Sequence, residues 1–195
     1  ISMSQMGNLG ITPAITKLIA EAHARNDPRR IEQYLSTALV ALMGTGAVVL
    51  LAVVAGSPLI IRVFKFEGAV AVTAQRLLPM VGLLSAHIFI TQGLTAAISG
   101  LGRMDLSNYL LCAGRALAAL TAILLIIGRS GVDGLLYGFA LSQICVHAAS
   151  VHVIHRLAPI RILSLRHVSK DAFVQLTRIG AGLLGDSLLA MIGLP

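Results

Sequence analysis

The sequence has no tryptophan, 4% aromatic residues and two cysteines, and charged side chains make up only 12% of it. Each scarcity excludes something. Soluble proteins carry roughly 25% charged residues, so this chain has too few charges to coat a water-facing globule. Cys112 and Cys145 both sit in apolar runs, with no CxxC pair and no zinc-ligand spacing. They read as small apolar fillers, with no disulfide or metal framework. The net charge of +7 comes without a basic stripe interleaved with aromatics, so nucleic acid is not an expected partner. Acidic residues number eight. A Walker-type loop, GxSxG, HExxH and any nucleophile–base arrangement are all missing, so neither enzymatic chemistry nor a cofactor is expected.

What is abundant is apolar. Hydrophobic residues make up 56% of the chain and the mean hydropathy is +0.88. The economical solution is a surface that faces lipid: an all-α, polytopic transmembrane helix bundle. A helix needs about 20 apolar residues to cross the hydrocarbon core. Residues 33–61 and 77–102 contain no charged side chain, 106–128 only Arg115, and 134–155 none besides histidines. These are four full spans. Residues 1–16 and 172–195 add a partial helix at each end, so residues 1–195 are expected to form a single transmembrane domain that is a fragment of a longer protein.

Turn chemistry separates the spans. In Asn26-Asp27-Pro28, Asp27 suits a helix N-cap and Pro28 the first helical position. Gly102-Arg103-Met104-Asp105 predicts a second turn; Gly128-Arg129-Ser130-Gly131 with Asp133-Gly134 predicts a third. Pro58 and Pro79 are expected near span ends, where a lost backbone bond costs least. Loops must alternate sides. One side receives Arg25, Arg29, Arg30, Arg103, Arg156, Arg161, Arg166 and Lys170, twice as many basic residues as Arg62, Lys65, Arg76 and Arg129 on the other. Lys/Arg bias marks the cytoplasmic side, so loops 22–32, 103–105 and 156–170 are expected in the cytoplasm of a multi-pass inner-membrane protein.

Five polar residues within the spans are candidates for a substrate path. Arg115 lies roughly 13 Å into its span by helical rise, where a lipid-facing guanidinium is costly; it is expected to face the bundle interior. Arg178 and Asp186 lie eight residues apart on one face of the last segment, and an intramembrane carboxylate is a candidate for ion coupling. His87 and Gln92 are read chiefly as interhelical hydrogen-bonding groups. His147, His152 and His155 lack a carboxylate or cysteine to complete a ligand set, so no metal is expected. Gly134 and Gly138 form a GxxxG match, and Gly44, Gly46, Gly180, Gly182 and Gly185 are further small residues that let helices approach.

Two stretches carry a resemblance. Asn8, Gly10, Ala14, Lys17 and Ala20, followed by Asn26-Asp27 and Ser36-Thr37-Ala38, are similar to the second and third helices of polysaccharide flippases in the multidrug/oligosaccharidyl-lipid/polysaccharide exporter superfamily. The family often has Asp where this chain has Asn8. Gly100, Gly102, Arg103 and Asn108 resemble the segment that ends its fourth helix. The resemblance implies that residues 1–171 are most of an amino-terminal lobe and 172–195 the first helix of a second. It implies alternating access and an isoprenoid-linked oligosaccharide as substrate, with Arg115 and Arg178 meeting its diphosphate. Membrane lipids and a coupling ion, proton or sodium, are the other implied partners. A cation-coupled multidrug exporter of the same superfamily is the alternative reading. An integral-membrane glycan polymerase or glycosyltransferase is a third, and a purely structural subunit a fourth.

Overall fold

In the computed structural model, residues 10–128, 131–158 and 160–192 are described, without the side chains of 131–132, 165, 184 and 186–192. Among them there are six α-helices and no strand: α1 (Ile11–Ala24), α2 (Pro28–Val63), α3 (Gly68–Gly100), α4 (Met104–Ile127), α5 (Gly131–Leu157) and α6 (Lys170–Ile192), with a 3-10 turn at Leu165–His167. Helices α2 to α5 are long and apolar enough to cross a membrane. These are the four predicted full spans.

The connections follow from local chemistry. Helix α1 ends with Asn26 in the left-handed region, where Asn26 N–H donates to His23 O and Asp27 N–H to Ala22 O. This doubly bonded ending satisfies two orphan carbonyls. The Asp27 carboxylate then accepts the Arg30 backbone N–H at 3.1 Å, capping α2, whose first residue is Pro28. The α3 terminus repeats the device at Gly102, and the α2 terminus repeats it at Lys65. Lysine is strained there, since its Cβ crowds the following carbonyl at a φ of 51°, at a cost of about 1–2 kcal/mol. Lys65→Gly should therefore raise the midpoint of thermal unfolding in detergent by a few degrees, at about 2–4 °C per kcal/mol for a chain of this size.

Several boundaries differ from the sequence reading. Helix α1 runs on to Ala24 rather than ending near Thr16, and Gly10 at its start has a φ of 67°; residues 1–9 lie outside the described part. Helix α3 starts at Gly68, not near 77, so Pro79 lies well inside it, and Pro58 lies inside α2. A charge-free run marks the stretch that suits lipid, whereas a helix continues for as long as its backbone bonds do. Arg76, which seemed to end the span, sits within α3 and pairs with Asp133 at 2.6 Å. Asp133 and Gly134 belong to the first turn of α5 rather than to a loop. Arg129 and Ser130 lie outside the described residues.

By internal contacts the chain divides into two compact units. One takes residues up to Leu42, Gln92–Leu110 and Ala148 onward. Its core includes Ile15, Ile19, Leu35, Leu42, Leu94 and Ile98, all nearly fully buried. There α1 packs on α6, and a side chain at Gly10 would run into the backbone of Gly180. The Thr16 hydroxyl donates to Ala96 O on α3. The other unit takes Met43–Thr91 and Leu111–His147, and its helices meet through small residues such as Gly46 against Ala86. Its large apolar side chains, among them Val48, Leu51, Ile123 and Ile127, are exposed, as suits lipid-facing helices.

Candidate functional site

The orientation of α4 is set by its contact with α5. Gly114 faces Val146, whose methyl group occupies the space a Cβ would need. The Ser142 hydroxyl donates to Gly114 O at 2.6 Å, and the Thr121 hydroxyl reaches Gly138 O at 3.2 Å. Gly138 permits the second approach, because a Cβ there would lie 2.7 Å from Ala122 N. The GxxxG pair thus lies in the α4–α5 contact, since a Cβ on Gly134 would lie 2.9 Å from Leu125 Cβ.

One residue further along a helix is a turn of about 100°. With Gly114 locked against α5, Arg115 points out of that interface; its side chain is exposed and has no polar partner among the described residues. It stands at the middle of α4 (Met104–Ile127), where the neighbouring residues are apolar. Arg178 on α6 is likewise exposed and without a partner among the described residues. The backbone puts Asp186 two turns further along α6, but its side chain lies outside the described residues.

His87 and Gln92 on α3 are both partly buried. Neither makes the expected interhelical hydrogen bond among the described residues. The His87 ring instead lies against the ring of His147 on α5, with centroids 5.0 Å apart and planes tilted by 33°. His87 Nε2, His147 Nδ1 and Gln92 Oε1 are buried without a hydrogen-bond partner among the described residues. Unsatisfied buried polar atoms are uncommon and call for an explanation such as a ligand, an ion or water. The pairing escaped the sequence reading because the two histidines are far apart in the chain and no periodicity joins them. His152 and His155 are exposed, and no cluster of three metal-ligating side chains occurs among the described residues. Cys112 and Cys145 are free and exposed on the apolar helices α4 and α5.

The Ser36-Thr37 pair has a mechanical role. Both side chains are buried on α2. Ser36 Oγ accepts the Ser164 backbone N–H at 3.1 Å, Thr37 Oγ1 accepts that of Ser169 at 3.2 Å, and Glu32 Oε1 accepts that of Arg161 at 2.9 Å. Three side chains of one helix thereby strap the connector between α5 and α6. Tyr34 adds a bond from its hydroxyl to Gln175 Oε1 on α6.

A family profile described as MatE matches residues 1–124, more than half of the sequence. The chain belongs to the MatE family. A comparison with curated proteins finds no match to this MatE chain. A solved structure described as the inward-facing conformation of a multidrug resistance MATE family transporter of the MOP superfamily is similar to it, with a TM-score of 0.78 at 15% identity. The likeness covers 90% of this chain and 41% of that one. At that identity it establishes the fold, and the MatE chain spans about two fifths of the neighbour's length. Family membership and four apolar helices make this a multi-pass membrane protein.

Proposed function

We propose that this MatE chain is most of the amino-terminal lobe (residues 1–171) and the first helix of the second lobe (172–195) of a flippase. Its substrate would be an isoprenoid-linked oligosaccharide, moved across the inner membrane for polysaccharide or lipopolysaccharide assembly. The observation that carries the reading is Arg115: an exposed guanidinium, without a partner among the described residues, at the middle of an apolar helix. Facing lipid it would cost about 2.5–3.5 kcal/mol. Facing a water-filled path it supplies a fixed positive charge and a two-pronged contact suited to a diphosphate. Arg178 would add a second. The coupling ion, proton or sodium, belongs to the same proposal.

Membership in the MatE family favours transport over the polymerase or glycosyltransferase reading. The solved neighbour, described as a multidrug resistance transporter, favours a second reading, a cation-coupled drug exporter. The full-length protein in liposomes separates the two. Translocation of a fluorescent isoprenoid-diphosphate oligosaccharide, without efflux of a cationic dye, is the expected result. Dye efflux without glycolipid translocation would leave the drug-exporter reading standing.

The same proposal places the connector 158–169 in the cytoplasm. Leu163 is 51% exposed, so Leu163→Cys is a suitable probe. Cys112 and Cys145 are exposed and must first be replaced. An impermeant maleimide should label Leu163→Cys in inverted vesicles and not in intact cells. Labelling from outside intact cells would reverse the topology.

A further inference from the structure

Where the first turn of α2 meets the connector, Pro28, Arg29, Glu32, Arg161 and His167 line a cavity of about 380 Å³. Glu32 is already satisfied within the fold. One oxygen accepts the Arg161 backbone N–H, and the other lies 3.5 Å from His167 Nδ1. The Arg29 and Arg161 guanidiniums are exposed, and neither has a protein acceptor among the described residues, so both are available to a ligand. Two guanidiniums against one carboxylate leave the cavity net positive whatever the state of His167. A guanidinium presents paired N–H donors that match phosphate oxygens, and the cavity is of a size that holds a small ligand.

Depth selects the source of the phosphate. Glu32 is the last charged residue before the charge-free stretch 33–61 of α2. A helical turn rises 5.4 Å, so the cavity lies within a turn or two of the hydrocarbon boundary, at the level of lipid headgroups. We propose that this cavity binds the phosphate of an anionic phospholipid headgroup. Arg29 and Arg161 are its ligands, and Glu32 holds the connector that carries Arg161. The bound lipid bridges the start of α2 and the connector, and so reinforces the strap made by Ser36 and Thr37. The site is independent of which substrate is transported.

The full-length protein in nanodiscs tests this. Phosphatidylglycerol discs should raise the unfolding midpoint by several degrees over phosphatidylcholine discs, because a ligand that binds only the folded state stabilises it. The double variant Arg29→Gln with Arg161→Gln should lose most of that difference. Its backbone strap is unaffected, since Glu32 takes the main-chain N–H of residue 161. Arg29→Lys with Arg161→Lys should retain part of the difference, and Arg62→Gln with Lys65→Gln, at the other end of α2, all of it. Native mass spectrometry should show retained phosphatidylglycerol on the wild type and less on the Gln pair. An equal lipid shift and equal retention in wild type and Gln pair would overturn the site. So would the absence of any lipid difference. If inorganic phosphate in phosphatidylcholine discs reproduces the whole shift, the cavity takes free phosphate and the lipid assignment is wrong.

Discussion

In the full-length transporter, Arg115→Ala is expected to lose about 10- to 100-fold in translocation rate while the protein inserts and accumulates normally. The magnitude is that of one hydrogen bond to a charged group, at about 1.5–3 kcal/mol. Normal accumulation is expected because Arg115 has no partner among the described residues, so its removal strands no buried group in this part of the protein. Arg115→Lys should recover only part of the rate, since the charge remains and the two-pronged geometry does not. Transport and abundance measured together on the same vesicles decide the matter. Normal transport by Arg115→Ala at normal abundance would make Arg115 an interfacial anchor. Failure to accumulate would make it structural.

Gly138→Val should have the largest effect on stability. A Cβ at 138 would lie 2.7 Å from Ala122 N and 2.9 Å from Thr121 Oγ1, and backbone cannot yield as a flexible side chain would. Helices α4 and α5 must then separate, which breaks the Thr121–Gly138 bond and loosens the seat of Gly114 on Val146. Overpacking of this kind costs about 1–3 kcal/mol, and the lost bond adds about 0.6 kcal/mol in a membrane. A fall of about 5–10 °C in the unfolding midpoint follows, with reduced accumulation. Gly44→Val is the matched control: a Cβ at Gly44 meets nothing within 4 Å, and little change is expected. Comparable losses in both variants would mean that β-branching within the helix, not the α4–α5 contact, is responsible.

The spans were legible because lipid imposes a simple rule on composition: 33–61 obeys it over its whole length, and 106–128 departs from it only at Arg115. The beginning of α3 was not, because Arg76 reads as a boundary in the sequence while the backbone bonds of α3 run on through it from Gly68. The Asn26-Asp27-Pro28 turn was legible residue by residue, since capping is local. The depth of Arg115 could also be read from the sequence. Its direction could not, because that depends on Gly114 meeting Val146 across an interface. Likewise, Ser36 and Thr37 stood out only as part of a familiar pattern. Their use as acceptors for a segment more than a hundred residues away leaves no trace in local periodicity.

That distance has a consequence for biosynthesis. Ser36 and Thr37 leave the ribosome 128 and 132 residues ahead of the backbone groups they will accept. At about 5–20 residues per second, the interval is on the order of ten seconds. During it, helices α3 to α5 can insert while the hydroxyls of α2 still look to water or to their own helix. The connector therefore closes on α2 only after helices α3 to α5 have been made, and the strap joins parts of the chain that are synthesised far apart in time.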